Sequence, residues 1–128
     1  MRVDIGLLIL RLGFGGLMLV AHGWPKLANF TNMSGSFADP IGVGSTMSLT
    51  LAVFAEFFCA IALMAGVMTR WVSIPLLFTM LIAAFVVHAN DPFRVQEFPL
   101  LFAIAFLTLI FTGGGRFSVD SLIGKNRS

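Results

Sequence analysis

With 128 residues, of which 58% are hydrophobic and only 11% charged, the chain differs strongly from soluble proteins, in which about a quarter of residues are charged. The mean hydropathy of +0.96 indicates a single transmembrane domain over residues 1–128, surrounded by the lipid bilayer. The net charge of +2 comes from basic residues scattered around the ends of apolar segments, which argues for membrane topology and against nucleic-acid binding. A single cysteine, Cys59, excludes an intramolecular disulfide.

Four segments are long and apolar enough to cross a bilayer, which takes about 20 residues in a helix. They cover approximately residues 4–23, 46–67, 71–90 and 96–113. The first is expected to stop or kink at Trp24-Pro25, and the fourth to stop at the glycines 113–115. The pattern predicts an all-α fold, an antiparallel four-helix transmembrane bundle.

The distribution of lysine and arginine predicts the orientation of this bundle. Five basic residues share the side of both chain ends: Arg2, Arg70, Arg116, Lys125 and Arg127. Two lie on the opposite side: Lys26 and Arg94. Because basic loop residues are retained on the cytoplasmic side, this imbalance predicts an N-in, C-in protein.

Polar and small residues follow one stripe of the first segment. Arg11, Gly15, Met18 and His22 are spaced at helical intervals and should face the bundle interior, because an arginine faces lipid only at high cost. Glycines on the same segment permit close approach of a neighbouring helix. That neighbour could belong to the internal core or to a second copy in a homodimer.

Glu56 is the acidic residue of the second segment, and it is predicted to lie near the bilayer midplane. Matching the depths of two antiparallel helices places it near Phe14, about one turn from Arg11. This predicts an Arg11–Glu56 ion pair. The pair could simply set the register of the two helices, or Glu56 could contact a ligand or accept a proton.

Several polar residues are expected at the outer ends of the segments: His22, Lys26, His88 and Glu97. The imidazoles could hydrogen-bond the carbonyl oxygens of a quinone or exchange its protons, and Lys26 could receive an anion. Axial ligation of a haem by both histidines, or a metal pair with Glu97, is less favoured, and no metal site is predicted. Asp91 and Arg94 are interpreted as a solvated loop pair.

Six stretches occur in an order that resembles a known family. They are Arg11 to Lys26, Ala55-Glu56, Gly66 to Arg70, His88, Glu97 to Leu101 and Gly113 to Asp120. Together they resemble the DoxX family of small four-span bacterial membrane proteins, over nearly the whole chain. Phe98 and Phe117 differ from the family pattern, which often has tyrosine there, and this puts in doubt any mechanism that needs a phenol donor.

The resemblance implies a multi-pass protein of the bacterial cytoplasmic (inner) membrane that acts beside quinone-linked or thiol-linked redox enzymes. The first hypothesis is a quinone-interacting subunit of an oxidoreductase system, with electrons supplied by a partner subunit or a bound substrate. Its predicted catalytic residues are His22, Glu56, His88 and Glu97, and its ligand-binding residues are Arg11 and Lys26. A non-enzymatic membrane anchor or assembly partner is the second hypothesis, and a small-molecule or ion transporter is the third.

Overall fold

In the computed structural model, which describes residues 2–37 and 39–123, the chain is helical and its described part contains no strand. The helices are α1 (Arg2–Ala28), α2 (Phe30–Met33), α3 (Ser45–Ala65), α4 (Thr69–Val87), α5 (Phe93–Thr112) and α6 (Val119–Ile123). Four of them, α1, α3, α4 and α5, are long and apolar enough to cross a membrane. The predicted all-α, four-helix membrane fold is confirmed.

Helix α1 continues past Trp24-Pro25, where it was expected to stop or kink. Residues Leu19–Gly23 form a π-helical turn, in which the N–H of Trp24 donates to the carbonyl of Leu19. Pro25 then occupies the first turn of a new α-helical segment, Trp24–Ala28. A proline is tolerated there because its missing N–H has no partner to lose in a first helical turn.

Two more of the long helices contain a π-helical turn. In α3 it covers Phe54–Cys59, and in α4 it covers Ala83–Val87. A π turn holds more residues than an α turn, so it shifts the direction of every side chain that follows it. Such turns occur often at functional sites, and hydrophobic periodicity does not predict them.

The two halves of the bundle are packed differently. One end is formed by the α3–α4 hairpin and the C-terminal segment (residues 113–123) and is hereafter called the Arg11 end. Its interior is filled by buried apolar side chains such as Leu63, Leu76 and Leu109. At the opposite end, hereafter the Lys26 end, a cavity separates the helices. The Arg11 end also holds Arg2, Arg70 and Arg116. Lys125 and Arg127 lie outside the described residues. The N-in, C-in orientation stays a prediction.

Arg11 joins three parts of the chain at its end of the bundle. Its side chain is fully buried and donates hydrogen bonds to the carbonyls of Leu63 (3.3 Å), Met64 (2.9 Å), Gly114 (3.1 Å) and Phe117. The first two carbonyls belong to the last turn of α3, where the helical N–H partners run out, although that of Leu63 also accepts from the N–H of Gly66 (3.0 Å). Arg11 therefore caps α3 and attaches the C-terminal segment to α1.

The α3–α4 hairpin is closed by Gly66 and Asp120. Gly66 has φ +77°, and a Cβ at this position would collide with Ser118, so only glycine fits. Asp120 accepts hydrogen bonds from the N–H groups of Met68 (2.6 Å) and Thr69 (2.8 Å), the first free donors of α4. The C-terminal segment thus supplies the cap of α4 as well.

Asp39 organises the connection between α2 and α3. Its carboxylate accepts hydrogen bonds from Ser48 Oγ (2.7 Å), the N–H of Gly44 (2.7 Å) and the N–H of Val43 (2.9 Å). The hydrogen bonds from Ser48 and Gly44 lower the pKa of Asp39 below its ordinary value of 3.8. Asp39 thus attaches the connection to the start of α3, through Ser48 in its first turn and the N–H groups of the two residues before it.

This lowered pKa predicts an acid sensitivity. Because the carboxylate is held in its charged form in the folded protein, its stabilising contribution is complete above the unfolded pKa and is lost as the pH falls through the lower folded pKa. The melting temperature in detergent should therefore fall as the pH drops below about 5. The fall should be smaller in Asp39→Asn, whose amide keeps one acceptor oxygen and does not titrate. An identical acid profile in both proteins would contradict this role of Asp39.

Candidate functional site

A cavity of about 480 Å³ occupies the Lys26 end of the bundle. All four long helices contribute to its wall, and the connection between α2 and α3 covers it with residues such as Phe37 and Ile41. Most of the wall is apolar. The side chains with polar groups are His22, Lys26, Ser48, Glu56, Thr79 and His88. The cavity is thus an apolar chamber with a few polar groups, the usual composition of a small-molecule site.

Lys26 and Glu56 form an ion pair in the wall of this cavity. The ammonium group contacts both carboxylate oxygens, Oε1 and Oε2, the second at 2.8 Å. The side chain of Glu56 is 3% exposed and that of Lys26 20% exposed. An ammonium has three donors and two of them are used, so the third remains for a ligand in the cavity. The ring of Phe37 lies 5.9 Å from the ammonium and shields it on one side.

The close approach of α1 and α3 makes this pair possible. Both helices are π-helical where they meet, and Gly23 lies against the carbonyl of Glu56 so closely that a Cβ would collide with it. A larger residue at position 23 would push the helices apart. The glycine therefore lets the lysine, three residues further along α1, reach the carboxylate.

The predicted Arg11–Glu56 ion pair is wrong. The prediction ended α1 near residue 23 and matched Glu56 with Phe14, but α1 extends to Ala28 and Glu56 lies beside Gly23. Arg11 lies at the other end of the bundle among backbone carbonyls. It does not line the cavity, so the structure does not support its predicted role in ligand binding.

His22 lies in the π turn of α1 and lines the cavity. Its ring makes an edge-to-face contact with Phe102 of α5, with ring centroids 6.2 Å apart. Within the described residues its imidazole has no hydrogen-bond partner, so either ring nitrogen is available to a ligand. The predicted stripe of Arg11, Gly15 and Met18 is buried, whereas the π turn rotates His22 away from it towards the cavity.

His88 ends α4 at the rim of the cavity, and Asp91 holds its ring. Nδ1 of His88 lies 2.7 Å from Oδ2 of Asp91. The carbonyl of His88 accepts a hydrogen bond from Nε2 of Gln96 (2.8 Å). Asp91 was interpreted as the partner of Arg94, and the structure pairs it with the histidine instead.

Glu97 does not belong to the cavity. Its side chain is exposed near the start of α5 and is not among the residues of the cavity wall, although Phe98 and Pro99 are. A helix turns by about 100° per residue, so a one-residue difference moves a side chain from one face to the next. The structure thus brings together His22, Lys26, Glu56 and His88, and it leaves out Glu97.

Comparisons with known proteins agree with this architecture. The family model DoxX matches residues 6–89. The chain is 29% identical over 126 residues to the inner membrane protein YqjF of Escherichia coli strain K12, covering 95% of each chain. It is 27% identical over 101 residues to an uncharacterized protein of Haemophilus influenzae, covering 75% of this chain and 67% of that protein. No solved structure matches the chain.

These matches complete the argument from the helices. The protein is a multi-pass protein of the bacterial inner membrane. This follows from four helices apolar enough to cross a membrane, a family model that covers most of the chain, and an inner membrane relative that matches along 95% of its length. The polar motifs noted in the sequence lie at the two ends of its bundle, Arg11 at one and Lys26 at the other. The chain belongs to the DoxX family.

Proposed function

We propose that the cavity at the Lys26 end binds the head group of a quinone, and that the protein acts as a membrane component of a redox system. One observation supports this above all others. A mostly apolar chamber within the bundle contains an ion pair with a spare ammonium donor and two imidazoles. A quinone head group is a flat apolar ring with oxygen atoms at opposite edges, which is the kind of ligand that such a wall complements.

The size and polarity of the chamber fit this ligand. A volume of about 480 Å³ falls within the range of roughly 300–1,000 Å³ typical of small-molecule sites. Aromatic side chains such as Phe54, Phe78 and Phe102 offer flat surfaces to a ring. Lys26 can donate to one ligand oxygen, and the unpartnered imidazole of His22 can adapt to another.

The rim of the cavity suits a ligand that is dissolved in the membrane. Phe54, Phe78 and Phe98 line the cavity and are also largely exposed on the outer surface of the helices. In a bilayer such side chains face lipid, so a hydrophobic tail bound beside them would remain in the membrane. Electrons would come from a partner redox enzyme or from a second substrate, as the first hypothesis supposed.

A second candidate is a non-enzymatic anchor or assembly subunit. It is favoured by the fact that the polar side chains also connect helices: Lys26 joins α1 to α3 through Glu56. In this alternative the ion pair sets helix register and the cavity has no ligand. The two candidates differ in whether a quinone binds.

Fluorescence of Trp24 provides the test, because Trp24 lies two residues from Lys26 at the cavity end of α1, with its ring 6.4 Å from that of Phe57. The other tryptophan, Trp71, lies in the first turn of α4 at the far end of the bundle. In the Trp71→Phe protein, decylubiquinone should quench Trp24 with a saturating dependence on concentration. In the same background, Ala52→Phe, which places a large ring in the cavity wall, should weaken the binding by about tenfold or more.

The matched control is Trp24→Phe, in which Trp71 is the reporter of quinone that merely dissolves in the detergent. Quenching of Trp71 should rise linearly without saturation. If Trp24 and Trp71 respond alike, and Ala52→Phe has no effect on the response of Trp24, the quinone proposal fails and the anchor is favoured. Retained thermal stability of Ala52→Phe is needed for this comparison, and the open space beside residue 52 makes it the expected result.

A further inference from the structure

We infer that Asp91, by holding His88 as a hydrogen-bond acceptor, makes the cavity selective for the reduced hydroquinone form of its ligand over the oxidised quinone. This inference rests on the proposed function and specifies the ligand of the same cavity. Asp91 would act as a positioning residue, because it touches the imidazole and does not line the cavity itself.

The direction of the hydrogen bond follows from the chemistry of its two partners. A carboxylate only accepts hydrogen bonds, so the contact of 2.7 Å requires a hydrogen on Nδ1 of His88. A neutral imidazole carries one ring hydrogen. With that hydrogen on Nδ1, the other nitrogen, Nε2, is a bare acceptor.

The backbone around His88 is also fixed. Its N–H donates to the carbonyl of Ala83 (3.0 Å), and its carbonyl accepts from the side chain of Gln96 at the start of α5 (2.8 Å). These contacts and the Asp91 hydrogen bond hold the residue from three directions. The backbone contacts position the residue at the rim of the cavity, and the hydrogen bond to Asp91 selects the tautomer of its ring.

The other polar groups of the cavity wall do not select between the reduced and the oxidised ligand in this way. The ionisable side chains that share the cavity with His88 are His22 and Lys26 on α1 and Glu56 on α3. Lys26 can only donate, both oxygens of the Glu56 carboxylate, which is 3% exposed, already accept from Lys26, and His22 can present either nitrogen. Ser48 and Thr79 donate their hydroxyl hydrogens to Asp39 and to the carbonyl of Pro75. Only for His88, among the wall residues of the described chain, does a neighbouring side chain, Asp91, determine which ring nitrogen is the acceptor.

The two forms of a quinone meet this acceptor differently. A hydroquinone hydroxyl donates a hydrogen bond to Nε2, whereas a quinone carbonyl is itself an acceptor and leaves both atoms unsatisfied. An acceptor that the ligand covers without giving it a donor weakens binding, and because the side chain of His88 is 36% exposed at the rim, water reduces this loss. The hydroquinone should therefore bind roughly tenfold more tightly. No covalent or redox step is required for this discrimination.

The test compares the Kd of decylubiquinone with that of decylubiquinol in the Trp71→Phe protein, without oxygen and at about pH 8, where an ordinary imidazole is neutral. Decylubiquinone binding is followed by quenching of Trp24, and decylubiquinol binding by its displacement of the quinone. In Asp91→Asn the new amide can either donate to Nδ1 or accept from it, so both tautomers of His88 are allowed. The roughly tenfold preference for the reduced form should then fall to about twofold or less.

Arg94→Gln is the matched control, since it removes an exposed charge from the same region without contacting His88, and its preference should equal that of the parent protein. His88→Gln should lose the preference as Asp91→Asn does. Equal affinity for both forms in the parent protein, or an unchanged preference in a folded Asp91→Asn, would overturn the inference while quinone binding stands. Absence of saturable binding of either form would instead overturn the proposed function and the inference with it.

Discussion

Replacing Arg11 with methionine is expected to destabilise the protein by about 3–5 kcal/mol, the largest effect of any single substitution considered. Methionine fills much of the same volume but donates no hydrogen bond. The carbonyls of Leu63, Met64, Gly114 and Phe117 would lose their common donor, and that of Leu63 would keep only the N–H of Gly66. Buried carbonyls without partners cost about 1–3 kcal/mol each, and partial access of water at the bundle end reduces the sum. Unfolding in a denaturing detergent, followed by circular dichroism, measures the change.

Arg11→Lys separates charge from geometry. The ammonium keeps the positive charge, which interacts favourably with the carboxylate of Asp120, but it lacks the planar fork that serves four carbonyls at once. Lysine should therefore recover less than half of the stability lost in Arg11→Met. If lysine restored the parent stability, charge would be the dominant contribution and the capping role of Arg11 would be wrong. Quinone binding in a folded Arg11→Lys should be unchanged, because Arg11 lies far from the cavity.

The prediction of the fold succeeded because membrane helices are determined by a strong and local signal. Length and apolar composition alone identify four spans, whatever their packing. The end of α1 was less predictable, since Pro25 normally indicates a helix boundary. Here the π turn of Leu19–Gly23 positions the proline where its missing N–H is harmless, and hydrophobic periodicity does not report such a turn.

The prediction of the site was limited by that same boundary. Pairing Glu56 with Arg11 followed from equal helix depths, and the longer α1 places Glu56 opposite Gly23 and within reach of Lys26. The helical spacing from His22 to Lys26 was the signal for this alternative. The link between His88 and Asp91 depends on how the chain turns after α4, which the sequence pattern does not specify.

The motifs that resemble the DoxX pattern fall into two groups, one that stabilises the fold and one that surrounds the cavity. At one end Arg11, Gly66 and Asp120 join α1, the α3–α4 hairpin and the C-terminal segment, with hydrogen bonds from Arg11 and to Asp120. At the other end Lys26, Glu56 and the histidines surround a cavity. A tightly packed end beside a hollow one is the arrangement that a binding site in a small bundle requires, because the packed end supplies the stability that the cavity removes.

The second large effect is a loss of stability when one partner of the Lys26–Glu56 pair is removed. Lys26→Met leaves a carboxylate that is 3% exposed without its counterion, and Glu56→Gln leaves the ammonium against a neutral amide. Each should cost about 3 kcal/mol in unfolding free energy, because an uncompensated buried charge is more costly than no charge. The double variant Lys26→Met/Glu56→Gln should lie within about 1.5 kcal/mol of the parent protein, since it contains neither charge.

The double variant also shows whether the ion pair binds a ligand or only joins two helices. Because it should remain folded, its affinity for decylubiquinone reports directly on the spare donor of Lys26. A loss of about tenfold is expected if the ammonium donates to a ligand oxygen, since hydrogen bonds from a charged donor contribute about 1.5–3 kcal/mol. A folded double variant that binds as tightly as the parent would show that the pair only joins α1 to α3. Strictly additive destabilisation in the cycle would show that the two side chains are not energetically coupled, against the geometry of the pair.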